Sequence, residues 1–465
     1  MVMRRRVCSV IACLALIGLL TGCSAIGLNV ETQLIPPDSD GEHEAIRKAL
    51  DEYISSHTKS GETSEYTLKY PYAGEYLSPF ITLDQVEEHA VLSPETVGKP
   101  PIDTQESMVP NTAVAFYRRN AANAMVHINL LKRKEDGTWI SVGDVEGKGE
   151  SVNRVDFGDL NNDGTPELLI GWYLYNTRDS RLSIYDLGER LVARSFSASY
   201  TDLVVGDITG DGADDVLLLS IMTGTRLASA QLFSYRENGS VMHGHTVLDS
   251  DIVGFGKHTV AELSTDVNGV FVDCHKRQNA MITELIVWED GKLKAPLCDQ
   301  TAQLNSVTAR ELPIGSTDID GDGILEWPVT TRMPGFEDSE ISKTLWHTEW
   351  CYWDQTTQRI VTKFYSLIPA EDGYMLRLRD RWKDLPAAYN ASTHTLTLYE
   401  DMDSGEWLFR IAMFPINQKN RLPSGYTLLG EAEESCFAVC ISEKQSNIVA
   451  EEFNYLFYYM PEEDV

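Results

Sequence analysis

Three short stretches of this 465-residue chain repeat one pattern, and that pattern limits the fold more than any other feature. Residues 155–169 read VDFGDLNNDGTPELL, residues 204–218 read VVGDITGDGADDVLL, and residues 315–329 read GSTDIDGDGILEWPV. In each, an apolar strand ends at an Asp, a polar glycine-containing turn follows, and a second apolar strand starts after an acid eight positions later. Self-similar strand–turn–strand units predict a repeat architecture made of small sheets.

The spacing of acids inside the turns carries chemistry. A hard cation such as calcium takes about six to eight oxygens, and a tight loop supplies them only if carboxylates or amides alternate with residues that turn the backbone. The first loop offers Asp159, Asn161, Asp163 and Glu167, the second Asp207, Thr209, Asp211 and Asp215, and the third Asp318, Asp320, Asp322 and Glu326. Gly164, Gly212 and Gly323 follow the third ligand position, where a positive φ is expected. Backbone carbonyls at Thr165, Ala213 and Ile324 would complete each set. An EF-hand needs a bidentate Glu at loop position 12, where Ile170, Leu218 and Val329 stand instead. The pattern therefore predicts two to three calcium sites in strand-to-strand loops, with the four-carboxylate third loop holding the ion most tightly. The plainer alternative is a set of solvated Asp/Gly turns.

These segments resemble the FG-GAP or VCBS repeats of integrin-alpha-like β-propellers, where such a loop joins the first two strands of a blade. The resemblance covers roughly residues 66–367 and implies a mainly β fold, a calcium-binding propeller. The interval from Asp159 to Asp207 is one blade of about 40–50 residues, and that from Asp207 to Asp318 is about two, so a degenerate repeat is expected between them. Val260–Asp273 sits there, with Asp266 and Asn268 but no full ligand set. Upstream, SPFITLD at residues 78–84 and TAVAFYR at 112–118 read as paired strands separated by an insert, 85–111, in place of a metal loop. Five repeats are recognisable, and unrecognised ones would raise the blade count to as many as seven. A lone blade leaves both faces bare, and stacking its neighbours buries them.

The chain ends read differently. Arg4, Arg5 and Arg6 precede an apolar run, Val7 to Leu20, that ends in Leu20-Thr21-Gly22-Cys23. A basic start, an apolar stretch too short for a comfortable span and small residues at a cut make an export signal. It resembles a bacterial lipoprotein signal, which implies cleavage after residue 22, lipidation of Cys23 and an extracytoplasmic protein anchored to the cell membrane by lipid. Residues 23–62 then read as a tether and an amphipathic helix, with Ser39 and Glu42 as a capping box and Ile46, Ala49, Leu50, Tyr53 and Ile54 on one face. The propeller is placed at 63–367. Residues 368–465 read as a small separate α+β domain that closes with a helix carrying Val449, Phe453, Leu456 and Met460 on one face.

Composition narrows the function. Against 39 Lys plus Arg stand 70 Asp plus Glu, a net charge of −31, which repels nucleic acid rather than binding it. Beyond the leader and Cys23, five cysteines remain, Cys274, Cys298, Cys351, Cys436 and Cys440, an odd number that reads as free thiols. GxSxG, HExxH and phosphate-loop motifs are absent from the sequence. The run LWHTEWCYWD, residues 345–354, puts Trp346, Trp350 and Tyr352 on one strand face, either as packing between blades or as a stacking platform for a sugar or protein ligand. The reading that results is a non-catalytic binding or adhesion module for an extracellular glycan or protein. A polysaccharide-active enzyme and a structural envelope-assembly protein are its alternatives.

Overall fold

The computed structural model describes residues 41–460 except 62, 87–88, 95–110, 123, 175–179, 195, 237–238 and 446. The leader, Cys23, the tether and the capping residue Ser39 lie outside the described residues. Among the described residues no helix is long and apolar enough to cross a membrane. The helix Gly41–His57 has the expected apolar face, with Ile46, Ala49, Leu50 and Ile54 packed on Phe80, Ala113, Tyr117 and Leu131 of the first sheet.

Among the described residues six antiparallel sheets succeed one another, the last strand returning to the fifth. The first takes Tyr66–Leu68, Phe80–Thr82, Thr112–Arg119, Val126–Arg133 and Trp139–Glu146, and the second Ser151–Gly158, Glu167–Tyr173, Ser180–Leu187, Leu191–Ala193 and Ala198–Tyr200. The third has Asp202–Gly206, Asp215–Ser220, Ser229–Arg236 and Gly239–Val247, and the fourth Ile252–Ser264, Val267–Lys276, Met281–Glu289 and Lys292–Lys294. The fifth holds Trp327–Arg332, Leu345–Asp354, Arg359–Pro369, Tyr374–Leu378 and Phe457–Tyr459. The sixth holds Ala387–Asn390, Thr395–Asp401, Glu406–Pro415, Tyr426–Glu431 and Ser435–Ile441.

Packing explains why the strands are apolar throughout rather than alternating. Val216 and Leu218 join a core with Leu169, Leu182 and Ile184 of the second sheet. Leu217 and Leu219, on the opposite face of the same strand, join Val270, Val272 and Ile286 of the fourth. A strand buried on both faces reads as a continuous apolar run, and each buried Leu or Val contributes about 2 kcal/mol. Similar cores join the first sheet to the second through Phe116 and Phe157, the fourth to the fifth through Phe271 and Trp327, and the fifth to the sixth through Leu376 and Leu396. Ser151–Gly158 lies against Asp202–Gly206, which lies against Ile252–Ser264, so the first strands of successive sheets line up. Face-stacked meanders with neighbouring first strands are the blades of a β-propeller.

The first blade bears out the expected pairing: Phe80 faces Ala115 and Thr82 faces Ala113 across an antiparallel register. The described part of the insert between them then runs over its neighbours as a strap. His89 Nε2 lies 2.6 Å from the Phe157 carbonyl oxygen, and Leu92 bridges Ala261 of the fourth sheet in parallel, its N–H donating to Val260 O at 2.9 Å. Pro94 closes on Gly323 of the third acidic loop.

The C-terminal region needs correction. The boundary expected at 367/368 falls inside Arg359–Pro369, and Tyr374–Leu378 extends the same fifth sheet. The stretch from Ala387 to Ile441 makes a further antiparallel sheet packed on the fifth, rather than a separate α+β unit. The expected final helix is a 3-10 segment, Ala450–Tyr455, followed by the strand Phe457–Tyr459. Its apolar spacing is met another way: Phe453 inserts into the core while the aromatic run 457–459 pairs with Tyr374–Leu376. The five cysteines are free, with Cys440 half-buried and the others buried.

Candidate metal centres

The three acidic loops are one structure built three times. Each begins after a first-strand residue that pairs with the loop's last acid: Gly158 with Glu167, Gly206 with Asp215, and Thr317 with Glu326. Each first Asp turns inward and accepts backbone N–H bonds. Asp159 takes those of Asp163 and Gly164 at 3.0 and 2.8 Å, Asp207 those of Asp211 and Gly212 at 3.1 and 3.0 Å, and Asp318 those of Asp322 and Gly323 at 3.0 and 2.8 Å. Asp163, Asp211 and Asp322 accept from Thr165, Ala213 and Ile324 two residues on. The closing acid reaches back to the second loop residue: Glu167 to the Leu160 N–H, Asp215 to that of Ile208, and Glu326 to that of Ile319.

Gly164, Gly212 and Gly323 have φ of 81°, 87° and 84°, as expected. A second left-handed position, two residues earlier, was not anticipated; Asn162, Gly210 and Gly321 fill it with φ of 57°, 76° and 73°. Asn is a non-glycine residue that tolerates this region, which is why the loop survives without Gly in the second sheet.

The loops differ in what faces the carboxylates. Glu167 is buried, and burial together with Asp186, Asp163 and Asp159 pushes its carboxyl up to about 8 despite the bond from Leu160. Asp215 is also raised by burial, opposed by the Ser234 hydroxyl that bonds it and by Thr209. In the third loop, Asp318, Asp320 and Glu326 each bring an oxygen within 4.8 Å of the others, a donor set suited to a hard cation. Lys363 reaches into the same loop, its Nζ donating to Asp320 Oδ1 at 2.8 Å, Asp322 Oδ2 at 2.7 Å and Glu326 Oε1 at 2.7 Å. Burial pushes Glu326 up to about 7 against the bond from Lys363. Burial works to lower Lys363, but its carboxylate partners outweigh it and raise the ammonium.

Neighbouring loops are tied together. Asp159 and Asp214 exchange two bonds, N–H to Oδ2 and O to N–H, both at 3.0 Å, and Asn268 of the degenerate repeat donates to Asp207 O at 2.6 Å. Between the first two loops and the strap lies a cavity of about 350 Å³ lined by His89, Phe157, Asp159, Asn162, Asp207 and Asp214, among others. Burial pushes Asp214 up to about 6, with His89 opposing and Asp159 and Asp207 adding to the shift. Sequence reasoning missed Lys363, His89 and Asp214. Neither Lys363 nor His89 falls in a repeat motif, and nothing local marks either.

Of the two readings of the aromatic run, packing holds for its tryptophans and the stacking platform does not. Trp346 and Trp350 are 1% and 0% exposed and pack with Leu312, Phe364 and Met375, so neither offers a face for stacking a ligand. Their indole N–H groups are satisfied inside, by Ile341 O at 3.2 Å and Ser366 Oγ at 3.0 Å. Tyr352 is half-buried.

No family model and no curated protein matches the chain. Among solved structures it is similar to the exotype rhamnogalacturonan lyase YesX at 10% identity, over 66% of this chain and 70% of that one, with a TM-score of 0.29. The Bacillus licheniformis rhamnogalacturonan lyase PL11 matches at 14% identity over 63% and 64%, also with a TM-score of 0.29. The Dos1 propeller matches at 11% identity over 62% and 71%, again at 0.29. At such values no activity passes from those proteins to this chain, whose architecture is defined by its own stacked sheets.

Proposed function

We propose that this chain is a calcium-stabilised, lipid-anchored propeller on the outer side of a bacterial membrane, acting as a non-catalytic module that binds an extracellular glycan or protein. The observation that supports it most is the recurrence of one nine-residue loop at matching register in three blades, each with a buried closing acid. The charged neighbours that raise Glu167 are Asp186, Asp163 and Asp159, so burial there favours an external cation. Asp159, Asn161, Asp163 and Glu167 would hold one ion and Asp207, Thr209, Asp211 and Asp215 a second, stiffening the loop end of the blades.

Melting the protein with excess calcium and with EGTA tests the metal half. A site that binds only the folded state stabilises it by about 2.7 kcal/mol at 100 times its dissociation constant, and an unchanged midpoint would reduce the loops to turns. Glycan-array binding tests the ligand half, and fatty-acid labelling of the wild type beside Cys23→Ser tests the anchor.

A second reading, a polysaccharide-active enzyme, draws on the cavity, where His89 stands beside a carboxyl raised toward neutrality, a combination suited to moving protons. Incubating array hits with the protein separates the two: cleavage products that vanish in Asp214→Asn favour the enzyme.

A further inference from the structure

We infer that the side chain of Lys363 is the resident cation of the third loop, so that this loop keeps its fold without calcium while the loops of the second and third sheets depend on the ion. The inference deepens the calcium reading and rests on it for those two loops.

Three observations carry it. The ammonium is placed as a loop cation would be, within 2.8 Å of oxygens from Asp320, Asp322 and Glu326, three of the four side chains that the metal pattern would use. The lysine comes from a device that aims it. Along the pair formed by Leu345–Asp354 and Arg359–Pro369, Trp350 faces Phe364 and Cys351 faces Thr362, which leaves Lys363 as the extra residue of a β-bulge. Bulges re-aim single side chains out of the alternating pattern. The surroundings reinforce the placement: Arg377 adds a second positive group at 3.5 Å from Asp320 Oδ2, and Glu326 is fully buried, so its charge has the lysine and the loop N–H as partners.

The closing acids of the other two loops have different neighbours. On the strand next to Asp215, one strand nearer than the one that carries Lys363, stands Ser234, whose hydroxyl bonds it. Asp186, on the third strand of the second sheet, is one of the acids that raise Glu167, and it pairs with Arg194 instead of supplying a cation to the loop. A lysine competes well with calcium in such a setting because it is tethered: its local concentration is fixed by the fold, whereas calcium must strip its water to enter.

Calcium stoichiometry of the full chain in detergent, measured by equilibrium dialysis with the metal alone, tests this. Wild type is expected to bind two ions, Asp159→Asn and Asp207→Asn one each, and Asp320→Asn still two. Lys363→Gln is expected to gain one ion over wild type, and Lys363→Arg to gain none. Loss of an ion in Asp320→Asn, or a Lys363→Gln count equal to that of wild type, overturns the assignment. Should Lys363→Gln fail to fold, Asp320→Asn decides alone, since it leaves the lysine and most of the loop in place. The calcium reading fails separately, if wild type binds no ion, and an ion gained on Lys363→Gln would then still uphold the role of Lys363.

Discussion

The loops at Asp159 and Asp318 share a backbone almost bond for bond, yet one faces acids and the other a lysine. A carboxylate pattern therefore records where negative charge converges and leaves open what neutralises it. The fourth sheet gives a further solution. Its degenerate repeat has no ligand set, and deep inside it Asp273 is held by Arg310 at 2.9 Å, by the Thr283 hydroxyl at 2.6 Å and by the Ser316 N–H at 2.7 Å, with Arg310 2% exposed. On the proposed calcium reading, cation supply passes from solvent to side chain along the molecule.

The largest effect expected from this contrast is at that pair. Arg310→Met should cost about 3–5 kcal/mol, because it strands a buried carboxylate, and calcium should not restore the loss. Denaturant unfolding with calcium and with EGTA measures it; recovery in calcium would place the fourth sheet among the metal-dependent ones.

Next comes pH, where Glu284 of the fourth sheet adds its own part to that of the raised acids Glu167 and Glu326 of the loops. Glu284 is fully buried, and burial pushes its carboxyl up to about 7 while bonds from the Asp249 N–H and Asn305 oppose the rise. With a folded value above the unfolded 4.5, the folded state binds more protons between those limits, so stability falls as pH rises from about 4.5 to 7. At about 1.4 kcal/mol per pH unit the drop is at most about 3.5 kcal/mol. In Glu284→Gln this part of the slope should disappear, whatever the variant's absolute stability; an unchanged slope between pH 5 and 8 would assign the effect elsewhere.

The smallest contrast compares one glycine position in two loops. A Cβ at Gly323 would lie 2.4 Å from the Pro94 backbone, whereas one at Gly164 would meet nothing within 4 Å. Both have positive φ, so Gly164→Ala should cost about 1 kcal/mol from the backbone alone, and Gly323→Ala about 3 kcal/mol through the added overlap with the strap. Equal midpoints for the two variants in thermal melts would show that the strap yields freely.

The sequence was informative where chemistry and turn geometry act locally. Acid spacing and glycine placement marked the three loops, and SPFITLD with TAVAFYR located the first blade and its insert. Lys363 escaped because its role depends on a bulge in a strand two partners away from Glu326, and a bulge leaves no mark in the alternation of an apolar run. The tryptophans left two readings open because a strand buried on both faces looks like an aromatic platform until its neighbours are known. The C-terminal blade escaped for a related reason: its strands lack the acidic loop that made the others visible, and the spacing of Phe453 and Met460 suits a helix as well as the turn and strand that form.

The strap that leaves the first blade also sets an order of events. His89, Leu92 and Pro94 have their partners at Phe157, Val260–Glu262 and Gly323, each farther along the chain. A chain made amino end first can complete its first blade early and can seat His89 once the second has formed, but Leu92 must wait for the fourth blade and Pro94 for the acidic loop beyond it. Its docking is a late, long-range closure in folding, the step most exposed to competing contacts while the remaining blades arrive.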